Sequence, residues 1–136
     1  MNGILFKQLK MAMNLDFNQR QGVLSVTVRG YLTIEDIELN MLKLFSSDEY
    51  PRDVNTLWDI RDMSFDNIDI AFIKRMVSLR KKYNRVRGNA RIAILSNYAL
   101  AAPIVKLYVI LSKGLSQQTM VFVSAEEAKL WLCSDL

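Results

Sequence analysis

The sequence of 136 residues contains no histidine, a single cysteine, two prolines and five glycines. Without histidine, the chain lacks the most common metal ligand and the most common general base near neutral pH. Cys133 has no second cysteine to pair with, so an internal disulfide is excluded and a disulfide-built secreted scaffold is not indicated. Glycine-rich phosphate loops and nucleophile motifs are also missing. We therefore expect no catalytic residues, no cofactor and no metal site.

Long hydrophobic segments are absent as well. The longest apolar stretch, residues 98–111, is interrupted by Pro103 and Lys106 and is shorter than the ~20 residues that cross a bilayer. We find no secretory signal, linker, repeat or low-complexity tract, and the length is typical of one domain. The sequence predicts a single cytoplasmic domain over residues 1–136, with a peripheral position at the inner face of the membrane as an alternative.

The charges are divided unevenly between the two halves of the chain. Residues 1–69 contain 7 basic and 11 acidic side chains, a net charge of −4, whereas residues 70–136 contain 11 basic and 3 acidic ones, a net charge of +8. Solvated helix faces would explain this division, and so would an anionic partner of the second half. We favour solvated helix faces and keep the anionic partner as the alternative.

Hydrophobic periodicity predicts an α/β fold with the order β-β-α-β-α-β-α-β-α. Alternating apolar residues from Met11 to Phe17 and a polar turn ending at Gly22 predict a hairpin with a second strand over 23–29. The other strands are predicted at 56–61, 91–96 and 119–123, and the helices at 33–46, 69–85, 98–112 and from 124 onwards. Helices between strands require crossovers, so we expect a mixed, mostly parallel five-stranded sheet.

Helix ends are marked by residues with the right capping chemistry. Thr33 is followed by two acidic residues, which suit the positive end of a helix dipole. Ser124 begins a capping box that continues to Glu127. Gly88 is placed to end the helix that begins near Asp69.

Three segments of the chain resemble SpoIIAA-like proteins, which are relatives of the STAS domain of anti-sigma-factor antagonists. These segments are residues 30–36 (GYLTIED), 57–62 (LWDIRD) and 125–132 (AEEAKLWL). The predicted order of strands and helices agrees with the resemblance over about residues 11–132. The resemblance implies a STAS-like (SpoIIAA-like) fold and a regulatory module that works through contacts with other proteins.

The resemblance also makes Ser64 a candidate phosphorylation site. In anti-sigma-factor antagonists, a serine just after the third strand is phosphorylated and controls docking onto a kinase-like partner. The matching loop of this chain reads Asp62-Met63-Ser64-Phe65-Asp66, which departs from the family pattern by its bulky residues and its lack of glycine. Two neighbouring carboxylates would repel a phosphate there, while the start of the next helix would attract it. An ordinary loop serine is the alternative.

Acidic side chains surround the end of the third predicted strand. They are Asp59, Asp62, Asp66 and Asp69. Ligands often bind at this edge of an α/β sheet, and carboxylates there can hold Mg²⁺ together with water. Because no histidine or phosphate loop accompanies them, we favour roles in helix capping, in the turn and in pairing with Arg61.

A basic cluster marks the end of the helix predicted over 69–85. Its candidate anion- or membrane-binding residues are Lys74, Lys81, Lys82, Arg85 and Arg87. A helical wheel turns Lys74, Lys81 and Arg85 away from the apolar stripe and towards solvent. No exposed aromatic residue is interleaved with these charges, so nucleic-acid binding is not favoured. We favour a solvated helix end, with an anionic membrane or partner as the alternative.

The helix predicted over 98–112 is unusually apolar, because Lys106 is its one charged residue before Ser112. Such a helix has to be covered on both sides. Its candidate interaction or ligand-contact residues are Tyr98, Leu100, Ile104, Leu107, Tyr108 and Leu111. We favour burial against a second copy of the chain, with burial inside the domain, an apolar ligand and membrane contact as the alternatives.

The features together favour a non-enzymatic STAS-like interaction module. The expected partners are a second copy of the chain, in a homodimer, and another regulatory protein. The apolar helix and the loop around Ser64 are the expected docking surface. The alternative function is binding of a small apolar ligand or of an anionic membrane surface, with the apolar helix as a wall and the basic cluster as an anchor.

Overall fold

The computed structural model describes residues 13–97 and 102–134, so Met11, Tyr98 and Leu100 of the predictions above lie outside the described residues. The strands are β1 (Met13–Asn18), β2 (Val23–Gly30), β3 (Asn55–Met63), β4 (Arg91–Leu95) and β5 (Gln118–Phe122). The helices are α1 (Ile34–Ser46), α2 (Ile70–Lys82), α3 (Asn84–Arg87), α4 (Ala102–Leu111) and α5 (Ala125–Leu132). None of the helices in these ranges is long and apolar enough to cross a membrane.

The five strands form one sheet in which each strand pairs with its neighbours in the sequence, in the order β1-β2-β3-β4-β5. β1 and β2 are antiparallel, and the three remaining pairs are parallel. Gly22 closes the hairpin with a positive φ of 65° and donates its backbone N–H to Asn18 O at 2.9 Å. The prediction of a mixed, mostly parallel five-stranded sheet is confirmed.

Capping side chains begin three of the helices. Thr33 Oγ1 accepts the Asp36 N–H at 3.1 Å, and Ser124 Oγ accepts the Glu127 N–H at 3.3 Å, as the sequence predicted. Asp69 caps α2 in the same way, accepting the Phe72 N–H at 2.8 Å. These contacts satisfy amides that have no partner within the helix.

The helix predicted over 69–85 is interrupted at Tyr83. There the backbone leaves helical geometry, with φ −107° and ψ 15°, and the chain continues as the short α3. The Tyr83 ring contacts Phe45 of α1 at a centroid distance of 5.3 Å, so a tertiary contact holds the interrupting residue. Gly88, at φ 55°, ends α3 where the sequence predicted a stop.

The sheet has a hydrophobic core on each face. Helices α1, α2 and α4 pack on one face, against residues such as Leu24, Val26 and Val28 of β2. Of the described helices, α5 packs on the other face, in a smaller core that includes Leu57 and Leu95. β4 is buried on both faces, which explains its almost continuous apolar sequence.

Candidate functional site

A partly open cavity of about 110 Å³ lies between the sheet and the helices α1, α2 and α4. Protein interiors contain few voids larger than one water molecule, which occupies about 10–15 Å³ on the same measure. The apolar part of the wall consists of Leu32, Ile37, Met41, Leu44, Trp58, Ile60, Met63, Phe65, Ile68, Phe72, Ile73, Met76, Ile92, Ile94, Ile104 and Val105. We refer to this void as the apolar cavity. It has room for a small organic molecule.

Polar residues line the apolar cavity near the edge of the sheet where the parallel strands begin. They are Thr56, Arg80, Arg87, Tyr108 and Gln117. Thr56 is the second residue of β3, and Gln117 directly precedes β5. At the opposite edge, where β3 ends, the wall is formed by apolar residues such as Met63 and Phe65. The residues that line the cavity are therefore polar at one end and apolar at the other, and nearly all of the lining surface is apolar. We call these the polar end and the apolar end.

Arg80 is the centre of the polar end and is only 7% exposed. Its Nη1 donates to the Tyr108 hydroxyl at 3.0 Å and to Thr119 Oγ1 at 3.4 Å, and its Nη2 donates to Gln117 Oε1 at 3.3 Å. Gln117 in turn donates through Nε2 to Gly88 O at 2.7 Å. These bonds connect the end of α2 with α4 and with the segment that leads into β5.

Arg87 is the second buried arginine, with 6% exposure. Its Nη1 donates to Arg52 O at 2.7 Å, and its Nη2 donates to Thr56 Oγ1 at 3.5 Å. The pKa of Arg87 is lowered to about 10, chiefly by burial and also by the positive charge of Arg80, while Asp53 opposes the shift. The guanidinium therefore still carries its charge at neutral pH.

Neither buried arginine has an acidic partner at ion-pair distance among residues 13–97 and 102–134. The ion pairs among the described residues are Arg61–Asp59, Arg75–Glu35 and Lys82–Glu38. Buried charges in proteins are ordinarily paired, because transfer of an ion out of water is costly. Two neighbouring cations with neutral hydrogen-bond acceptors are therefore an unusual wall for an apolar cavity.

The residues predicted on the apolar helix occupy different environments on α4. Ile104 and Tyr108 line the apolar cavity, and Leu107 packs half-buried against the same core. Leu111 is 37% exposed at the end of the helix, next to Ile110 at 57%. The apolar composition of α4 therefore serves the cavity and core on its inner side and leaves exposed apolar side chains near its end.

The basic cluster is exposed except for Arg87. Lys74, Lys81, Lys82 and Arg85 are on the surface, as predicted. The placement of Arg87 in the same patch is wrong, because Arg87 lies seven residues after the buried Arg80, on the same inner side, and contacts Thr56. A surface patch for an anion therefore does not include Arg87.

Glu38 of α1 receives two hydrogen bonds from the neighbouring α2–α3 segment. The Tyr83 hydroxyl donates to Glu38 Oε2 at 2.7 Å, and Lys82 Nζ donates to the same oxygen at 2.9 Å. The bond from Tyr83, followed by the bond from Lys82, lowers the pKa of Glu38. The pKa of Lys82 is raised, chiefly by its bond to Glu38. Part of the predicted basic cluster thus ties α1 to α2.

The acidic residues near the end of β3 make separate contacts with different partners. Asp59 Oδ2 pairs with Arg61 Nη2 at 2.8 Å, and this hydrogen bond lowers the pKa of Asp59. Asp69 caps α2, and the Asp66 N–H donates to Ser64 Oγ at 3.3 Å. In residues 13–97 and 102–134, no three acidic or cysteine side chains converge as a metal site would require.

Ser64 lies in the loop between β3 and α2 and is half-buried. Its backbone N–H donates to Gly30 O at 2.8 Å, which continues the pairing of β3 with β2 beyond the strand end. The next residue, Phe65, lines the apolar cavity. Phosphorylation of Ser64 stays a prediction.

The sequence interpretation missed Arg80 as a site residue and misplaced Arg87, although their spacing contains a signal. Arg80 lies four residues after Met76 and seven after Ile73, so it shares the face of α2 that lines the apolar cavity. Arg87 follows seven residues later. An arginine on the apolar face of a helix is the pattern that indicates a buried charge.

No family model matches the chain, and no curated protein matches it. A solved structure that is similar to it is an uncharacterized protein from the DUF3478 family with a SpoIIAA-like fold, from Shewanella loihica PV-4. The two are 20% identical, and the match covers 90% of this chain and 93% of that chain with a TM-score of 0.60. The chain therefore has a SpoIIAA-like fold, as its sequence resemblance implied.

Proposed function

We propose that the protein binds a small apolar ligand in the apolar cavity and acts as a binding protein, not as an enzyme. The observation that carries this proposal is the void of about 110 Å³ with a mostly aliphatic and aromatic wall. An engineered cavity of about 150 Å³ in another protein stays dry and binds benzene or xenon. A natural cavity of similar size is expected to gain free energy when an apolar molecule fills it.

The position of the cavity also accounts for the composition of α4. Its inner residues Ile104, Val105 and Tyr108 face the void, so its apolar face is used without a second copy of the chain. Ligand binding is the alternative function that the sequence left open, and because of the cavity we favour it over the protein-interaction role.

The two tryptophans of the chain provide a test, because they lie on opposite faces of the sheet. Trp58 lines the apolar cavity, and Trp131 is a half-buried residue of α5 that packs against the core on the other face. The variant Trp131→Phe leaves Trp58 as the one tryptophan, and Trp58→Phe leaves Trp131 as the matched control. The ligand is 6-bromohexanol, a neutral molecule whose bromine quenches indole fluorescence at short range.

We expect saturable quenching of Trp58 in the Trp131→Phe protein and little quenching of Trp131 in the Trp58→Phe protein. This result is expected because only the first indole faces the void. Equal quenching of both tryptophans, or none up to the solubility limit of the alcohol, would contradict the proposal. Circular dichroism of both variants checks that each is folded.

A protein-interaction role is the second candidate, and exposed apolar side chains support it. Ile110 is 57% exposed on α4, and β5 with the residue after it exposes Met120, Val121 and Val123 at 45%, 40% and 72%. Clustered exposed apolar side chains often mark interfaces. This is the homodimeric, STAS-like module that the sequence favoured.

Light scattering coupled to size-exclusion chromatography tests the interaction role. We expect a mass near twice the 15.7 kDa of the chain at high protein concentration. Ile110→Glu should lower this mass, because a buried unpaired charge disfavours association. Leu39→Glu, at an exposed position on α1, is the control. A monomer mass at all protein concentrations would contradict the proposal of a homodimer.

A further inference from the structure

Arg80 and Arg87, which line the apolar cavity, each have more N–H donors than hydrogen bonds. A guanidinium carries five N–H donors, and Arg80 and Arg87 make their bonds through Nη1 and Nη2 alone. Among the described residues, neither Nε–H makes a hydrogen bond, and because no buried side-chain nitrogen lacks a partner there, both Nε atoms are accessible. Both side chains are more than nine-tenths buried. The polar end of the cavity therefore has accessible donors and two positive charges that form no ion pair with a described residue.

All the acceptors that these arginines contact in the described part of the chain are neutral. They are the hydroxyls of Thr56, Tyr108 and Thr119, the Gln117 amide and the Arg52 carbonyl. Such bonds hold each guanidinium in a defined orientation but leave two like charges near each other. Asp53, the acidic residue that acts on Arg87, is on the surface and outside ion-pair distance.

A purely structural role does not explain why both side chains are charged. Replacement of buried ionic groups by apolar residues of similar volume is often neutral or stabilising. Two adjacent buried cations therefore cost stability that neutral residues would avoid. A bound anion would remove this cost, since an oxyanion accepts charge-assisted hydrogen bonds from the planar guanidinium groups.

We propose that the ligand of the apolar cavity is a small amphiphile with an anionic head group, a carboxylate or a phosphate, which Arg80 and Arg87 bind. The inference rests on the proposed function and names the class of its ligand. The head group lies at the edge where the parallel strands begin. The aliphatic tail extends along β3 towards Met63 and Phe65, where the wall is apolar.

Three ligands with the same tail and different head groups test this inference. They are 6-bromohexanol, 6-bromohexanoate and 6-bromohexyl phosphate, and binding is measured by quenching of Trp58 in the Trp131→Phe protein. Charge-assisted hydrogen bonds are expected to make at least one of the anions bind on the order of 10- to 100-fold more tightly than the alcohol. The better of the two anions identifies the head group.

Charge-removing variants show whether the two arginines cause this preference. In the same background, Arg80→Met and Arg87→Met should lower the affinity for the anion, relative to that for the alcohol, by about tenfold or more. Arg75→Met is the matched control, because it removes the same charge from an exposed position on α2. The affinity of the Arg75→Met variant for the anion should equal that of the Trp131→Phe protein without the second substitution. Arg80→Lys and Arg87→Lys, which keep the charge, should lose less than the methionine variants.

Each outcome of these measurements decides between the proposals. If the alcohol binds and neither anion binds more tightly, the anionic ligand is wrong and the apolar-ligand function stands. If no ligand quenches Trp58, the proposed function fails, and the inference fails with it. If Arg75→Met lowers the affinity for the anion as much as the variants of the buried arginines do, the anion is attracted by the general positive charge of the protein and the proposal of a defined site is wrong. The preference of the parent protein decides the matter even where a variant does not fold.

Discussion

Leu24→Ala is expected to lower the free energy of unfolding by about 2–5 kcal/mol. Leu24 is 1% exposed on β2, an interior strand between β1 and β3. The truncation removes buried methyl groups and leaves a void that the surrounding strands cannot fill completely. Because Leu24 belongs to the core beneath the helices but not to the wall of the apolar cavity, the effect should be on stability and not on ligand binding.

Urea unfolding followed by circular dichroism measures this loss. The control is Leu42→Ala, the same substitution at a position on α1 that is 47% exposed. Surface substitutions usually change stability by no more than about 0.5 kcal/mol. Similar losses for the two variants would show that the burial of Leu24 does not contribute as we expect.

Ala128→Leu is expected to destabilise the protein by about 1–3 kcal/mol through overpacking. Ala128 of α5 and Ala93 of β4 are both 0% exposed and belong to the same small core. The small side chains allow α5 to lie close to the sheet. A larger side chain at position 128 has to push α5 away or displace neighbours such as Leu57 and Leu132.

Equilibrium unfolding with tryptophan fluorescence measures this effect and locates it. In the Trp58→Phe background, Trp131 reports on α5, and its emission should shift to longer wavelength in the Ala128→Leu variant. Ala71→Leu, at an exposed position on α2, is the matched control and should leave both signals unchanged. If Ala128→Leu leaves the stability unchanged, this core can accommodate a larger side chain without overpacking.

These two substitutions separate the stability of the fold from the chemistry of the cavity. Leu24 and Ala128 lie in the two cores outside the cavity wall, whereas Arg80 and Arg87 contribute charge to the wall itself. Replacement of the arginines is expected to change ligand selectivity. Its effect on stability has two opposing parts, because buried positive charge is removed and the hydrogen bonds to Tyr108, Gln117 and Thr56 are lost.

The elements that the sequence predicted well are those with local causes. Alternating apolar residues identified the hairpin of β1 and β2, and the hydroxyls of Thr33 and Ser124 identified the starts of α1 and α5. Each of these signals involves residues within a few positions of one another. The burial of both faces of β4 was also visible, since an uninterrupted apolar strand is typical of a covered sheet.

The interruption of the second long helix was not visible because its cause is not local. Periodicity from Phe72 to Val86 continues across Tyr83, but the contact with Phe45 and the bond to Glu38 come from α1, about 40 positions earlier. That interruption separates the short α3 from α2, and Arg87 of α3 is buried.

By itself, the sequence determined the order of the elements, their caps, the mostly parallel sheet and the apolar nature of α4. Only the tertiary structure decided that α4 borders a cavity and that Arg80 and Arg87 enclose one end of it. A void exists where side chains from distant segments fail to meet, here from Ile37, Trp58 and Ile104. Its volume and charge depend on how three helices pack on the sheet, which the local signals of a single sequence do not record.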